Sequence, residues 1–396
     1  MNALLNEIWG KYTTPQETKA AGIYPYYKPI SSGQDPIVKM ADGSSVMMFG
    51  SNSYLGLSDD PRLKEAAIKA IEKYGTSCSG SRFLNGTLDI HEELEEKLAR
   101  FVGKDQAVTF STGFQVNLGV ISALGFRGGY ILLDDTDHAC IIDGSRLSWS
   151  TVYKFKHNDM DALEKKLKAC EPDAPKMIVV DGVYSMLGDL CPLPQICELA
   201  EKYNASVMVD DAHGLGVFGK NGSGTADYFG LTDKVDLIMG TFSKSFGSLG
   251  GFIAGSEPVI NYLKHNARSL IFSASMTPAA VAAASKALDI MQSEPERIEH
   301  LWDITRYAHA KFRENGFDIN ATQSPIIPLM VRDTRKAMQI VTLAYNEGVF
   351  ITPVIAPAVP EKDVLIRFAL MATHTKEHID IAVEKLTKIF KQLGVI

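Results

Sequence analysis

Between residues 107 and 255 lie seven short segments that are apolar on both faces and rich in β-formers: AVTF, YILLDD, VYKF, KMIVVDG, SVMVDDA, DLIMGT and GFIAG. A strand with one solvated face alternates apolar and polar residues, and these do not. Helical stretches such as MDALEKKLKAC and LPQICELAEKYN separate several of them. Strands buried on both faces and joined through helices form a mostly parallel sheet covered by helices. The expected fold class is therefore α/β. Two amphipathic helices, PRLKEAAIKAIEKYG and DIHEELEEKLARFVG, precede the first strand, the second with Asp89 placed as its N-cap.

After TPAAVAAASKALDIM the pattern changes. Long helices around 294–315, 334–347 and 375–393 enclose fewer strands, PIIPLMV, VFITPV and VLIRFAL. That reads as a smaller C-terminal α+β domain. The expected division is an N-terminal arm over 1–48, a large domain over 49–290 and a small domain over 291–396. In the arm, Leu4, Leu5, Ile8, Trp9 and Tyr12 share one face of a short helix that YPYYKP ends. It is expected to pack on its own chain or a partner subunit, with peripheral membrane contact as the alternative.

Forty basic against forty-seven acidic residues give a net charge of −7, which argues against a general binder of nucleic acid or anionic membrane. The five cysteines are scattered, odd in number and form no C-x-x-C, so neither a disulfide framework nor a zinc site is expected. No run approaches the roughly 18 apolar residues of a membrane span. The N-terminus has no long apolar core of the secretory kind. A cytoplasmic setting is expected, and no metal.

In an open parallel sheet, ligands collect at the carboxyl ends of the strands. The unusual residues of this chain fall there. SVMVDDAHG ends in Asp210, Asp211 and His213; DLIMGTFSKS ends in Thr241, Ser243 and Lys244; ILLDDTDHA ends in acids and His138. VTFSTGFQVN runs from a strand through Ser111, Thr112 and Gly113 into a helix. Lys244 sits among small residues in IMGTFSKSFGSLGGFIAG, a setting that keeps an ammonium out of bulk water and makes it a candidate nucleophile. A turn lysine between two strands is the plainer reading. The spacing Gly214, Gly216, Gly219 imitates a dinucleotide fingerprint, but KNGSGTADYFG follows where that motif needs a helix.

The assembled set suits pyridoxal phosphate, which needs a lysine for its aldehyde, a charged partner for its ring nitrogen and donors for its phosphate. Asp210 suits the ring nitrogen, Ser111, Thr112 and Gly113 the phosphate, His138 the ring face and His213 the ring hydroxyl. Taken singly, a strand-end Asp is more often a cap and a lone His a packed side chain. Their placement at successive strand ends is what favours a site.

The segments FGSNSYLGL, GSRFLNGT, DHACIIDGSR, VDDAHGLG, GTFSKSFGSLGGF and IFSASMTPA together resemble the α-oxoamine synthase family of fold-type I pyridoxal-phosphate enzymes, from about Tyr24 to the C-terminus. The resemblance implies an acyltransferase that condenses an amino acid with an acyl-CoA and releases CoA and CO₂. With the ending LIRFALMATHT it points to the branch that joins L-serine to a long-chain acyl-CoA, palmitoyl-CoA above all, giving 3-ketodihydrosphingosine for sphingolipid synthesis. Branches using alanine or glycine, and a catalytically silent partner subunit, are the alternatives. By the same resemblance Lys244 carries the cofactor and takes the α-proton, Asp210 pairs with the ring nitrogen, His138 stacks on the ring and touches the substrate carboxylate, and His213 bonds the ring oxygen. Gly113, Phe114, Thr241 and Ser243 cradle the cofactor, joined by Ser273 from the neighbouring subunit of a homodimer with a shared active site. Arg367 binds the amino-acid carboxylate, with Asn52 and Ser185 near the site. Departures from the common family pattern are Asp137 and Cys140 where Asn and Ser are frequent, Ser77 and Ser79 in a loop usually richer in glycine, and Phe114 where tyrosine is also common.

Overall fold

The computed structural model describes residues 3–396. Its strands, in chain order, are β1 (Ile37–Lys39), β2 (Ser45–Met48), β3 (Gln106–Phe110), β4 (Tyr130–Asp134), β5 (Thr151–Phe155), β6 (Lys176–Asp181), β7 (Ala205–Asp210), β8 (Leu237–Thr241), β9 (Gly251–Gly255), β10 (Ile326–Met330), β11 (Val349–Phe350), β12 (Thr352–Val354) and β13 (Leu365–Ala369). The seven segments from 107 to 255 form one sheet in the order β3-β9-β8-β7-β6-β4-β5. Only β9 runs antiparallel to its neighbours. This is the fold-type I architecture expected of the sequence.

Burial on both faces is visible residue by residue. Ile178 and Val180 of β6, Val207 and Val209 of β7 and Leu132 of β4 point into one helical layer. Met177 and Val179, Met208, and Ile131 and Leu133 point into the other. Period-2 alternation thus feeds two apolar layers, which is why no polar face appears in these strands. The helices Met160–Lys168 and Leu193–Tyr203 cover the first layer; Gly113–Leu124 covers the second.

Toward the C-terminus, β10, β13 and β12 make an antiparallel sheet, packed with the helices Pro295–Glu314, Thr334–Asn346 and Lys376–Gln392. A third small sheet, β1-β2-β11, joins the two ends of the chain: Met47 and Met48 pair in parallel with Val349 and Phe350. The helix Ala3–Lys11 has no buried residue, and Trp9 is 67% exposed. A second helix, Thr14–Ala20, follows it, which the sequence reading did not foresee.

Asp89 is not the N-cap of the helix Asp89–Phe101; Leu88 occupies that position. The Asp89 carboxylate instead accepts from the Tyr74 hydroxyl at 2.6 Å and from Ile90 N–H at 2.9 Å. The capping bond comes from His91, whose Nδ1 accepts from Leu88 N–H at 3.1 Å.

Candidate active site

The carboxyl ends of β3, β4, β6, β7 and β8, with the loop before β9, surround a cavity of about 270 Å³. Its wall includes Gly113, Phe114, His138, Ser185, Asp210, His213, Thr241, Ser243 and Lys244. The strand-end rule therefore brings nine of the expected residues together from five separate stretches. Lys244 is half-buried, and its Nζ makes no hydrogen bond or ion pair among the described residues. Loss of water pulls its pKa down to about 8, against the pull of the Asp210 and Asp181 carboxyls. An appreciable fraction is then a free amine near neutral pH.

Asp210 ends β7 and is buried. Its Oδ2 accepts from Asn117 Nδ2 at 2.6 Å and its Oδ1 from Ala212 N–H at 3.0 Å. His138 caps the helix Ala139–Arg146, and its own N–H donates to Asp181 Oδ2 at 2.8 Å. Its ring stands edge-on to Phe114, centroids 6.4 Å apart. Partial enclosure lowers the His138 pKa, opposed by Asp210 and helped by Lys244. Burial, Lys244 and Arg367 push His213 well below the usual histidine range, so its imidazole is neutral.

The hydrogen bonds around His213 fix its tautomer. Arg367 Nη2 donates to the Tyr54 oxygen at 3.2 Å, so the Tyr54 hydroxyl points its proton at His213 Nδ1, 2.6 Å away. The ring proton then sits on Nε2, which makes no hydrogen bond among the described residues and is free to donate to a ligand oxygen. Arg367 itself is buried outside the cavity wall and donates from Nε to Ser185 O at 2.8 Å. Ser185 lines the cavity, so Arg367 stands one residue behind its wall.

Besides Arg367, three expected residues are not on the wall: Asn52, Ser111 and Ser273. Asn52 lies close in sequence to Tyr54, and its Oδ1 is buried without a hydrogen bond. Within its own chain Ser273 bonds Gln115 Nε2 at 2.9 Å and lines a different crevice, with Arg82 and Ser111. The sequence reading missed Asp181, Tyr54 and Asn117. Asp181 obeys the same strand-end rule as Asp210. Asn117, four residues past Gly113, takes the inward helical face, a signal that the 3.6-residue period carries.

The wall fits pyridoxal phosphate. Thr112 caps the helix Gly113–Leu124 through Gln115 N–H, and the first N–H groups of that helix lack intrahelical partners. At Gly113 a Cβ would stand 2.7 Å from Thr241 Oγ1, so only glycine keeps this corner open. The Thr241 hydroxyl donates to Gly250 O at 3.1 Å and lies 3.1 Å from the Ser243 hydroxyl; both line the cavity, and Ser243 has a proton left for a phosphate. The decoy glycines Gly214, Gly216 and Gly219 lie in turns that end in the short 3₁₀ turn Lys220–Gly222, not at a helix start.

Below the site, His157 bridges two carboxylates: Nδ1 lies 3.0 Å from Asp134 Oδ1 and Nε2 lies 2.8 Å from Asp189 Oδ2. Burial opposes the charge, but the two carboxylates overcome it and push the pKa up to about 10. A pKa raised on folding stabilises fully below the unfolded value near 6.5 and loses that contribution as pH rises through about 10. Urea unfolding of the wild type and His157→Gln is expected to show a stability gap that is widest below pH 6.5 and narrows toward pH 10. A gap that widens with alkaline pH would contradict a charged His157.

Residues 44–386 match the family described as aminotransferase class I and II. The chain is 61% identical over 393 residues to a serine palmitoyltransferase of Bacteroides thetaiotaomicron, covering 99% of this chain and 100% of that one. It is 44% identical over 366 residues to an 8-amino-7-oxononanoate synthase of Lysinibacillus sphaericus, covering 92% and 94%. A solved serine palmitoyltransferase from S. paucimobilis with a bound PLP–myriocin aldimine superposes with a TM-score of 0.96 at 33% identity, covering 100% of both chains.

Proposed function

The chain belongs to the class I and II aminotransferase family, in its α-oxoamine synthase branch of pyridoxal-phosphate enzymes, and on that premise we propose that it is a serine palmitoyltransferase. It condenses L-serine with palmitoyl-CoA to 3-ketodihydrosphingosine, with release of CoA and CO₂. The observation that carries this reading is the partnerless, half-buried Lys244 sharing one cavity wall with Asp210, His138 and His213. The choice of branch is supported by the 61% identity to a serine palmitoyltransferase against 44% to an 8-amino-7-oxononanoate synthase.

Pyridoxal phosphate, when bound, supplies an aldehyde that condenses with amines and a ring that takes up the electron pair left at the α-carbon. The protein supplies position and charge. The Lys244 amine, kept partly unprotonated by burial, would hold the cofactor and would be the base placed to take and return a proton. Asp210, oriented by Asn117 and Ala212, sets a negative charge against the ring nitrogen and holds its proton there. His213 donates from Nε2 to the ring oxygen. The N–H groups of Gly113 and Phe114, with the Ser243 hydroxyl, take the phosphate. His138 would cover the ring face, and Arg367, steadied by Ser185 O and Tyr54, would take the serine carboxylate, with Asn52 near the site.

The active unit in this reading is a cytoplasmic homodimer in which Ser273 of each chain completes the other's phosphate site. In support, Ser273 lies off its own cavity wall, while its neighbour Phe272 is 73% exposed. The division at 1–48, 49–290 and 291–396 belongs to the same proposal, with residues 37–48 riding on the small domain through β11. The exposed apolar side chains Leu4, Ile8 and Trp9 of the helix Ala3–Lys11 support transient contact with a lipid surface.

The test is thiol release from palmitoyl-CoA by the loaded protein with serine, alanine and glycine in turn, beside the visible spectrum of the cofactor. Serine is expected to give the fastest release and the largest spectral change at the lowest concentration. Preference for alanine or glycine would move the protein to another branch. A protein that stays colourless with added pyridoxal phosphate would remove the reading altogether.

A further inference from the structure

The helices Gly113–Leu124 and Ala139–Arg146 cross at Gly144, where a Cβ would stand 2.7 Å from Asn117 O. That close approach sets two buried side chains against each other. Asn117 Nδ2 lies 3.0 Å from Cys140 Sγ and 2.6 Å from Asp210 Oδ2, so both hydrogens of the amide are used. Cys140 Sγ in turn lies 2.8 Å from His138 Nδ1. The backbone N–H of Cys140 also donates to that nitrogen, at 3.3 Å. A ring nitrogen that accepts a backbone N–H carries no hydrogen of its own, so the thiol is the donor. Burial, reinforced by Asp210, raises the thiol pKa far above its ordinary value and keeps that hydrogen on sulfur.

An ordinary explanation would make Asn117 a polar core residue and Cys140 a small apolar filler. The Asn117 Oδ1 argues otherwise, because it is buried with no hydrogen bond. Burying an orphaned carbonyl is costly, and an apolar side chain would avoid that cost. Turning the amide over would satisfy nothing, since it would press Oδ1 against the Asp210 carboxylate. The orientation is held by what the two N–H groups do.

We propose that Asn117 and Cys140 are positioning residues, a bridge that runs from Asp210 to His138 and, together with the backbone N–H of Cys140, holds the His138 imidazole as its Nε2–H tautomer, the proton facing the cavity. The consequence for catalysis rests on the function proposed above; the tautomer itself does not. With the bridge in place, the two groups assigned to the ring nitrogen and the ring face are registered to each other through three hydrogen bonds, and His138 offers a neutral donor rather than a bare nitrogen.

The experiment is ¹⁵N spectroscopy of the full chain, labelled at histidine and loaded with pyridoxal phosphate, with His138 assigned by loss of its signals in His138→Asn. In the wild type, Nδ1 is expected to resonate as a bare acceptor and Nε2 as a protonated nitrogen. Cys140→Ala and Asn117→Ala each leave the backbone N–H of residue 140 on Nδ1, so the Nε2–H form is expected to persist. Loss of the thiol bond in Cys140→Ala is expected to move the Nδ1 resonance toward that of a less strongly bonded acceptor, with a smaller move in Asn117→Ala. Cys140→Ser, whose hydroxyl can replace the thiol, is expected to keep the wild-type resonance. An Nδ1–H imidazole in the wild type, or an unchanged Nδ1 resonance in Cys140→Ala, would overturn the bridge. Should the alanine variants fail to fold, the wild-type and Cys140→Ser spectra decide, because Nδ1–H in either contradicts it. Loss of the catalytic reading would show instead as no turnover with the tautomer intact.

Discussion

Lys244→Ala is expected to abolish turnover while leaving the fold intact. The loss of the proton-transferring amine alone is of the order of 10²–10⁴-fold in kcat, and loss of the covalent anchor adds to it. The fold should survive for a physical reason. The Nζ of Lys244 has no hydrogen-bond partner among the described residues, so removing it strands no donor or acceptor, and burial had already disfavoured its charge. The measurement pairs serine-dependent CoA release with urea unfolding and with borohydride trapping followed by mass analysis. Wild-type protein should acquire the mass of the reduced cofactor on the peptide containing Lys244, and the variant should not. A variant that unfolds at the same urea concentration yet keeps more than a few per cent of the activity would sink the role given to this residue.

The second large effect is expected of Asp210→Asn. The substitution keeps the shape of the side chain but removes the charge set against the ring nitrogen. A carboxylate within about 4–6 Å shifts a partner's pKa by roughly one to three units, each worth about tenfold. The expected fall in kcat is therefore of the order of 10–10³-fold, with little change in the amount of cofactor bound. The new amide can still accept from Asn117 or from Ala212, but its NH₂ group must face the other donor. A second effect has a defined sign: Asp210 holds the Lys244 pKa up, so its neutralisation should move that pKa below about 8. Amine-reactive labelling of the cofactor-free variant at Lys244 should show its midpoint displaced toward acid. A midpoint moved toward alkali would contradict the proximity of the two groups.

Much of the site was legible because its chemistry sits directly after strands whose burial is written into local composition. KMIVVD, SVMVD and DLIMGT admit one burial pattern, and the residues that follow must emerge at one edge of the sheet. Asp210, His213, Thr241, Ser243 and Lys244 were readable on that ground, and Asp181 would have been had the rule been applied to β6. The helix cap at residue 89 shows where local reading fails. Asp, a strong N-cap former, stands next to the start, but Tyr74 on the preceding helix claims its carboxylate, and nothing within a few residues of Asp89 announces that competitor.

Sequence alone determined the period-2 and period-3.6 burial patterns, the parallel sheet they require and the edge at which the polar residues gather, because each of these follows from interactions within a few residues of the chain. Only the tertiary structure decided how those residues are aimed. The proton on His213 is placed by Tyr54 and Arg367, from opposite ends of the chain. Asp210 is oriented by an asparagine 93 residues earlier, and that meeting depends on a glycine at a helix crossing. The pairing of β2 with β11 closes the ends on each other in the same way. Such contacts are set by the rigid-body placement of whole elements, and that placement is a property of the packed core as a unit rather than of any stretch within it.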